Sequence, residues 1–185
     1  MSEEELRRLL DEERAAEAAR DRARSRRLRE QAAEEGTLAG ALRRLADQRL
    51  PVAVHTVAGA RHQGVLVGVG ADYCALRAPG GWPRYLALAA IASVRPAAEA
   101  AAVTVEGASA PDRGQRLAPT LAEMLGRLAP ERPEVTLRTG TDPDAVRGVL
   151  RSVGVDVCEV DLAGLPGRAL VRLAAVDEVI VDPRA

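Results

Sequence analysis

An internal repeat constrains this chain more than any other feature of its sequence. Residues 37–49 (TLAGALRRLADQR) match residues 120–132 (TLAEMLGRLAPER) at an offset of 83. Further along, Gly64-Val65-Leu66 matches Gly148-Val149-Leu150 at an offset of 84. Because the matches keep one order along the chain, we predict two copies of a single structural unit.

The repeat divides the 185 residues into four segments. These are an N-terminal arm (1–36), a first unit (37–96), a linker (97–119) and a second unit (120–185). The linker is rich in Ala, Gly, Ser and Pro, which is typical of a connecting segment. The arm contains no proline and pairs Glu with Arg at helical spacing, so we predict one long charged helix there.

Each unit begins with a helical pattern and continues with short β-rich segments. Thr37 and Thr120 are natural N-caps, and leucines recur after each of them at helical spacing. Five short strands separated by glycine turns follow in the first unit. A helix and five strands in so short a unit close best as a small barrel. We therefore predict a mainly β chain with two tandem small β-barrels, each preceded by a short helix.

This pattern resembles the Sm-like family of small β-barrels, and related SH3-like barrels carry a similar one. The resemblance rests on the Val-x-Val of the first strand and on Gly59, Gly64, Leu66 and Asp72. Sm-like proteins bind RNA and assemble into rings by strand addition, which the resemblance implies here. The family's RNA-contacting Asp-x-Met-Asn stands as Asp72-Tyr73-Cys74-Ala75 in this chain. The resemblance is therefore taken to imply the fold and no ligand-binding residues.

The net charge of −1 conceals a difference between the two units. The first has seven Arg against two Asp, a balance of +5, whereas the second has eight Arg against eleven acidic residues, a balance of −3. Every basic residue is Arg, which is typical of a GC-rich bacterial genome. We predict that the first unit binds RNA or another polyanion. The candidate contacts are Arg43, Arg44, His55, Arg61, His62, Tyr73, Arg77, Trp82, Arg84 and Tyr85.

Each group of candidates has a structural alternative. The aromatic rings can stack bases beside arginines that hold phosphates. Alternatively, Tyr73 and Tyr85 cap the barrel and Trp82 covers the junction between the units. The arginines of the arm form either a contact surface for phosphates or an acidic partner, or a solvated helix face. They are Arg22, Arg24, Arg26, Arg27 and Arg29.

Neither a catalytic motif nor a cofactor motif is found in the sequence. His55, His62 and Cys74 fall short of the four ligands of a structural zinc site, and the alignment sets Thr139 where His55 stands. We therefore expect no enzyme activity, no cofactor and no metal. Cys74 and Cys158 hold equivalent places among apolar neighbours, so we predict buried, unreactive thiols.

The competing interpretation is a structural adaptor. Barrel edges and the arm would then bind a second copy of the chain or another protein. The sequence contains no apolar run of about 18 residues, so we expect no contact with membranes. An acidic N-terminus and only two cysteines favour a cytoplasmic protein.

Overall fold

The computed structural model describes residues 17, 21, 22, 24, 25, 36–78, 81–96, 118–140 and 144–182. The first unit comprises α1 (Leu38–Asp47), β1 (Pro51–Thr56), β2 (Arg61–Val69), β3 (Tyr73–Arg77), β4 (Pro83–Ala87) and β5 (Ile91–Pro96). The second comprises α2 (Leu121–Leu128), β6 (Glu134–Thr139), β7 (Val146–Val153), β8 (Val157–Leu162), β9 (Arg168–Arg172) and β10 (Val176–Asp182). The prediction of a mainly β chain is confirmed.

All ten strands belong to one antiparallel sheet, in the order β5-β1-β2-β3-β4-β10-β6-β7-β8-β9. The prediction of two tandem closed barrels is therefore wrong, because the strands form a single open sheet. The physical reason lies at β4, which pairs with β10 of the second unit, Tyr85 lying opposite Val179. This pairing satisfies the backbone groups of β4 that closure of a barrel was expected to satisfy.

The two halves of the sheet repeat each other down to their irregularities. The second strand of each unit shifts register at one point, between Leu66 and Gly68 in β2 and between Leu150 and Ser152 in β7. In both units the first strand pairs with the second and with the last. Both units belong to one compact body. The internal repeat of the sequence is therefore a repeat of strand pairing.

Strand pairing corrects one detail of the sequence alignment. His55 lies opposite Ser93 of β5, and Arg138 lies opposite Glu178 of β10 in the equivalent pair. Arg138, and not Thr139, is therefore the counterpart of His55. The offset of 83 persists through the first strand of the unit, and the extra residue enters only after that strand.

Threonine caps begin both helices, as predicted. The Gly40 N–H donates to Thr37 Oγ1 at 3.1 Å. Thr120 forms a capping box with Glu123, whose N–H donates to Thr120 Oγ1 at 3.1 Å while its carboxylate accepts from the Thr120 N–H at 2.9 Å. The leucine stripe of each helix packs against the sheet, and its buried members are Leu42, Leu45, Leu121 and Leu125.

Each unit has its own hydrophobic core. Leu42, Val54 and Leu66 belong to the first, and the second contains the corresponding leucines of α2, β6 and β7. Cys74 and Cys158 lie one in each core with their thiols unbonded, so the prediction of buried cysteines is confirmed. Burial raises the pKa of the Cys74 thiol to about 12 and also raises the pKa of Cys158.

Most of the predicted arm lies outside the described residues. The described positions there, Glu17, Asp21, Arg22, Arg24 and Ser25, are helical, but one long helix over residues 1–36 is not shown. Most of the linker also lies outside the described residues, and so do the candidate contacts Arg26, Arg27 and Arg29. Within the described part of the chain, no helix has the length and apolar character that a membrane span requires.

Candidate functional site

The first unit carries a pocket of about 1170 Å³ over β1, β2, β3 and β5. Val54 and Leu66 point from β1 and β2 into the core, and successive residues of a strand point to opposite faces. The alternate residues of these strands therefore share the outer face, where they form most of the pocket. Its polar lining consists of Arg49, His55, Arg61, Gln63, Arg77 and Arg95.

Strand pairing brings these polar residues together. Arg61 lies opposite His55 across β1 and β2, and Arg95 lies opposite Ala53 across β1 and β5. Arg77 projects from β3, on the other side of β2. Opposite residues of neighbouring antiparallel strands have Cβ atoms about 5 Å apart, so the arginines surround one area.

The charged side chains of the pocket's described lining are all arginines. No acidic residue is among the described residues that line it, and none of the described carboxylates forms an ion pair with its four arginines. Between the arginines the lining is mostly apolar, with Ala53 and Val65 at its centre. Guanidinium groups donate hydrogen bonds to carboxylates and phosphates, so this arrangement suits an anion.

A second polar cluster lies at the seam, which is the junction where β4 meets β10. Glu178 of β10 is buried, with 3% of its side chain exposed, and Arg84 of β4 donates to its Oε1. Arg138 Nε lies 3.3 Å from Oε2, and His62 Nδ1 lies 3.6 Å from Oε1. Burial, more than the neighbouring arginines, lowers the pKa of His62, although Glu178 opposes this effect. One carboxylate therefore joins strands of both units.

Two tyrosines complete the seam. The rings of Tyr73 and Tyr85 meet edge to face with centroids 5.9 Å apart, and both pack against the core of the second unit. Burial raises the pKa of both phenols. Asp72 also crosses to the second unit, because its Oδ1 accepts the Leu121 N–H at the start of α2 at 2.7 Å. These side chains hold the units together. The structural alternative for the tyrosines had placed them as caps of a barrel, and had assigned the junction to Trp82.

The candidates predicted from sequence fall into three groups. The pocket brings together His55, Arg61 and Arg77. The seam takes His62, Tyr73, Arg84 and Tyr85. The remaining three candidates are half-buried and lie outside the pocket lining. They are Arg43 and Arg44 of α1 and Trp82, which precedes β4.

The two histidines belong to different sites. His55 lines the pocket on the outer face, whereas His62 faces Glu178 beside the core. They therefore do not lie together in one site. Among the described residues there is no group of three or more His, Cys, Asp or Glu side chains that could hold a metal ion.

Sequence reasoning missed three polar residues of the pocket, Arg49, Gln63 and Arg95. A signal for two of them was present, because Gln63 stands between the buried His62 and Gly64 of β2, and Arg95 follows Val94, which packs against the first core. Arg49 follows α1 and has a left-handed backbone conformation, with φ of 52°. An arginine in a turn gives no sequence signal for this conformation.

The chain matches none of the protein-family models searched, and no curated protein matches it. The function of the pocket and the seam is therefore inferred from their own residues.

Proposed function

We propose that the chain is a non-catalytic binding module whose first unit holds nucleic acid, with RNA as the first ligand to test. The carrying observation is the pocket's ring of four arginines without an acidic residue among its described lining. Such a surface attracts phosphate groups at every physiological pH. The buried thiols of Cys74 and Cys158 suit the reducing cytoplasm, where we place this activity. The arginines are Arg49, Arg61, Arg77 and Arg95.

The proposed contact with RNA is made through phosphates and not through stacked bases. Tyr73 is buried, and Tyr85 packs against it in the seam. Trp82 is not among the residues that line the pocket. Phosphate contacts position a strand without reading its sequence, so we expect weak sequence preference and strong dependence on salt.

The test measures the affinity for a labelled single-stranded RNA at about 50 and 200 mM salt. Four phosphate contacts predict a loss of affinity of about 50-fold over this range. Arg61→Ala combined with Arg95→Ala removes two contacts, so the slope against salt falls by about half. Arg147→Ala, which changes an exposed arginine of β7, is the matched control and keeps the slope. An unchanged slope in the double variant would contradict the proposal. If DNA binds more tightly than the RNA, DNA replaces RNA as the proposed ligand.

A second function, self-assembly, is favoured by the seam. The seam pairs the fourth strand of one unit with the last strand of the other. At the ends of the sheet stand the remaining strands of these two kinds, β5 and β9, and neither has a described neighbour on its outer side. We propose that β9 of one copy pairs with β5 of the next and repeats the seam between chains. A contact of this head-to-tail kind generates rings or filaments.

Leu170 of β9 supports this second proposal. It lies opposite Glu159 in the β8–β9 pair, as Tyr85 lies opposite Ala75 in the β3–β4 pair. Tyr85 is packed in the seam, whereas the side chain of Leu170 is 71% exposed. The second unit therefore presents an apolar residue to solvent at the place where the first unit makes its contact.

Light scattering over a range of protein concentrations tests this assembly. We expect the mass per particle to rise with concentration. Leu170→Arg is expected to shift this rise to higher concentrations, because a buried charge opposes the pairing of β9 with β5 between chains. Leu165→Arg is the matched control, since Leu165 is exposed but lies in the turn before β9. A monomeric mass at the highest concentration would rule out the pairing of β9 with β5 between chains.

A further inference from the structure

Arg77 and Asp161 occupy the same place in the two units. Arg77 lies opposite Val65 between β2 and β3, and Asp161 lies opposite Val149 between β7 and β8. In each unit the neighbouring glycine faces the backbone of this residue so closely that a Cβ would overlap its carbonyl oxygen. Register and close approach therefore agree on the equivalence, and the charge at this position is inverted.

In the second unit this place holds a negative charge surrounded by arginines. Arg132 Nη2 and Arg151 Nη1 lie 3.2 and 3.3 Å from Asp161 Oδ2. Arg168 Nε lies 3.1 Å from Oδ1. One carboxylate thus serves three guanidinium groups from three different parts of the unit. The second unit supplies its own anion to its basic face.

The first unit keeps positive charges around the same place, but none of the described residues that line its pocket supplies an anion. Arg49 corresponds to Arg132, since each follows the helical segment of its unit in the same left-handed conformation, with φ of 52° and 51°. Arg61 and Arg95 add two charges, and Arg77 itself takes the place of the carboxylate. Because like charges so close together repel, the pocket gains by binding an anion from outside.

We infer that the pocket receives a terminal phosphate group, a phosphate monoester, beside Arg77, which stands where the second unit has Asp161. A monoester carries about −1.5 to −2 charges at neutral pH and has three strong acceptor oxygens. A phosphodiester inside a nucleic-acid strand carries one charge, so four arginines favour the strand end over its middle. This inference rests on the proposed function only in that both place phosphate in this pocket. The group can belong to an RNA end or to a free nucleotide.

The test compares one RNA sequence with three kinds of end. The strand carries a 5′-phosphate, a 3′-phosphate or hydroxyls at both ends, and a nucleoside monophosphate and its nucleoside serve as competitors. We expect one of the two phosphorylated strands, with its phosphate at either the 5′ or the 3′ end, to bind about tenfold more tightly than the hydroxyl strand. Charge-assisted hydrogen bonds predict a gain of this size. The monophosphate competes and the nucleoside does not.

Two variants separate the site from general attraction by charge. Arg77→Asp installs in the first unit the carboxylate that the second unit already has, so the preference for the phosphorylated end disappears. Arg95→Ala reduces the preference and remains informative if the first variant does not fold. Arg147→Ala on β7 leaves the preference unchanged. A preference of equal size in all variants would reflect charge alone and overturn the inference.

The failures of the two proposals are distinguishable. Equal affinity of the wild-type chain for all three strands overturns the terminal-phosphate site and leaves RNA binding intact. Binding of the monophosphate without binding of any RNA overturns the proposed function and supports the site, with a free nucleotide as its ligand. Competition by the nucleoside as strong as that by the monophosphate also overturns the site.

Discussion

The first and second units use the same strands to build the same outer face, but they treat charge on it differently. The second unit places Asp161 among its arginines and satisfies them internally. The first places Arg77 there and leaves a pocket whose described lining contains no acid. A duplicated fold thus provides one self-neutralised face and one face suited to a ligand, and the equivalent residues Asp161 and Arg77 carry opposite charges.

The largest effect is expected where the two units are alike. An alanine at Gly64 overlaps the carbonyl oxygen of Arg77, and an alanine at Gly148 overlaps that of Asp161. The paired strands must separate in either variant, so we expect each to lower the free energy of unfolding by about 3 kcal/mol. Denaturant unfolding measures both.

Gly68 is the control for these two substitutions. It lies in β2 as Gly64 does, but a Cβ there meets no atom within 4 Å. Gly68→Ala is therefore expected to change stability by less than about 0.5 kcal/mol. If Gly64→Ala and Gly148→Ala differed widely from each other, the two units would not share the close approach of strands on which their equivalence rests.

The next effect distinguishes the seam from the free edge. Glu178 is buried at the seam with Arg84 and Arg138, whereas its counterpart in β5 is Ser93. Glu178→Gln leaves two arginines without their carboxylate, and we expect a loss of about 2 kcal/mol because both arginines keep partial access to solvent. Ser93→Ala is expected to cost less than about 0.5 kcal/mol. Similar losses in the two variants would mean that the ion cluster does not stabilise the seam.

The smallest effect is a dependence of stability on pH that only the first unit can supply. His62 lies opposite Val54, and its counterpart in the second unit, opposite Leu137, is Val146. Burial lowers the pKa of folded His62 below its ordinary value of 6.5. The unfolded chain therefore binds the proton more readily, so the contribution is complete above about pH 6.5 and is lost as the pH falls below it.

Unfolding measured between about pH 7.5 and 5.5 checks this sign. Wild type loses stability on acidification by up to about 1.4 kcal/mol per pH unit more than His62→Gln does. A wild-type slope equal to that of His62→Gln would show that His62 does not contribute to the dependence of stability on pH.

Local features of this fold were predictable from the sequence. Thr37 and Thr120 cap helices because their hydroxyls accept backbone N–H groups, and the following leucines are buried because they share a helix face. The paired cysteines are buried in equivalent strands. Each of these follows from interactions within a few residues or from the repeat itself, so the sequence pattern contains the information.

The joining of the units was not predictable in the same way. An isolated unit of five strands can close on itself or leave its last strand to a neighbour, and local pattern is the same in both cases. The pairing of β4 with β10 depends on Tyr85 and Glu178, whose partners are far away in sequence. The pocket was only half found for a related reason, since Arg95 joins it through the pairing of β1 with β5.

Titration calorimetry with a short single-stranded RNA tests the central claim most directly, which is that the residue at the Arg77–Asp161 position decides which unit binds an anion. We predict one binding site per chain for wild type, none for Arg77→Asp and two for Asp161→Arg, with circular dichroism confirming that each variant is folded. Retention of one site with wild-type affinity in folded Arg77→Asp would contradict the account.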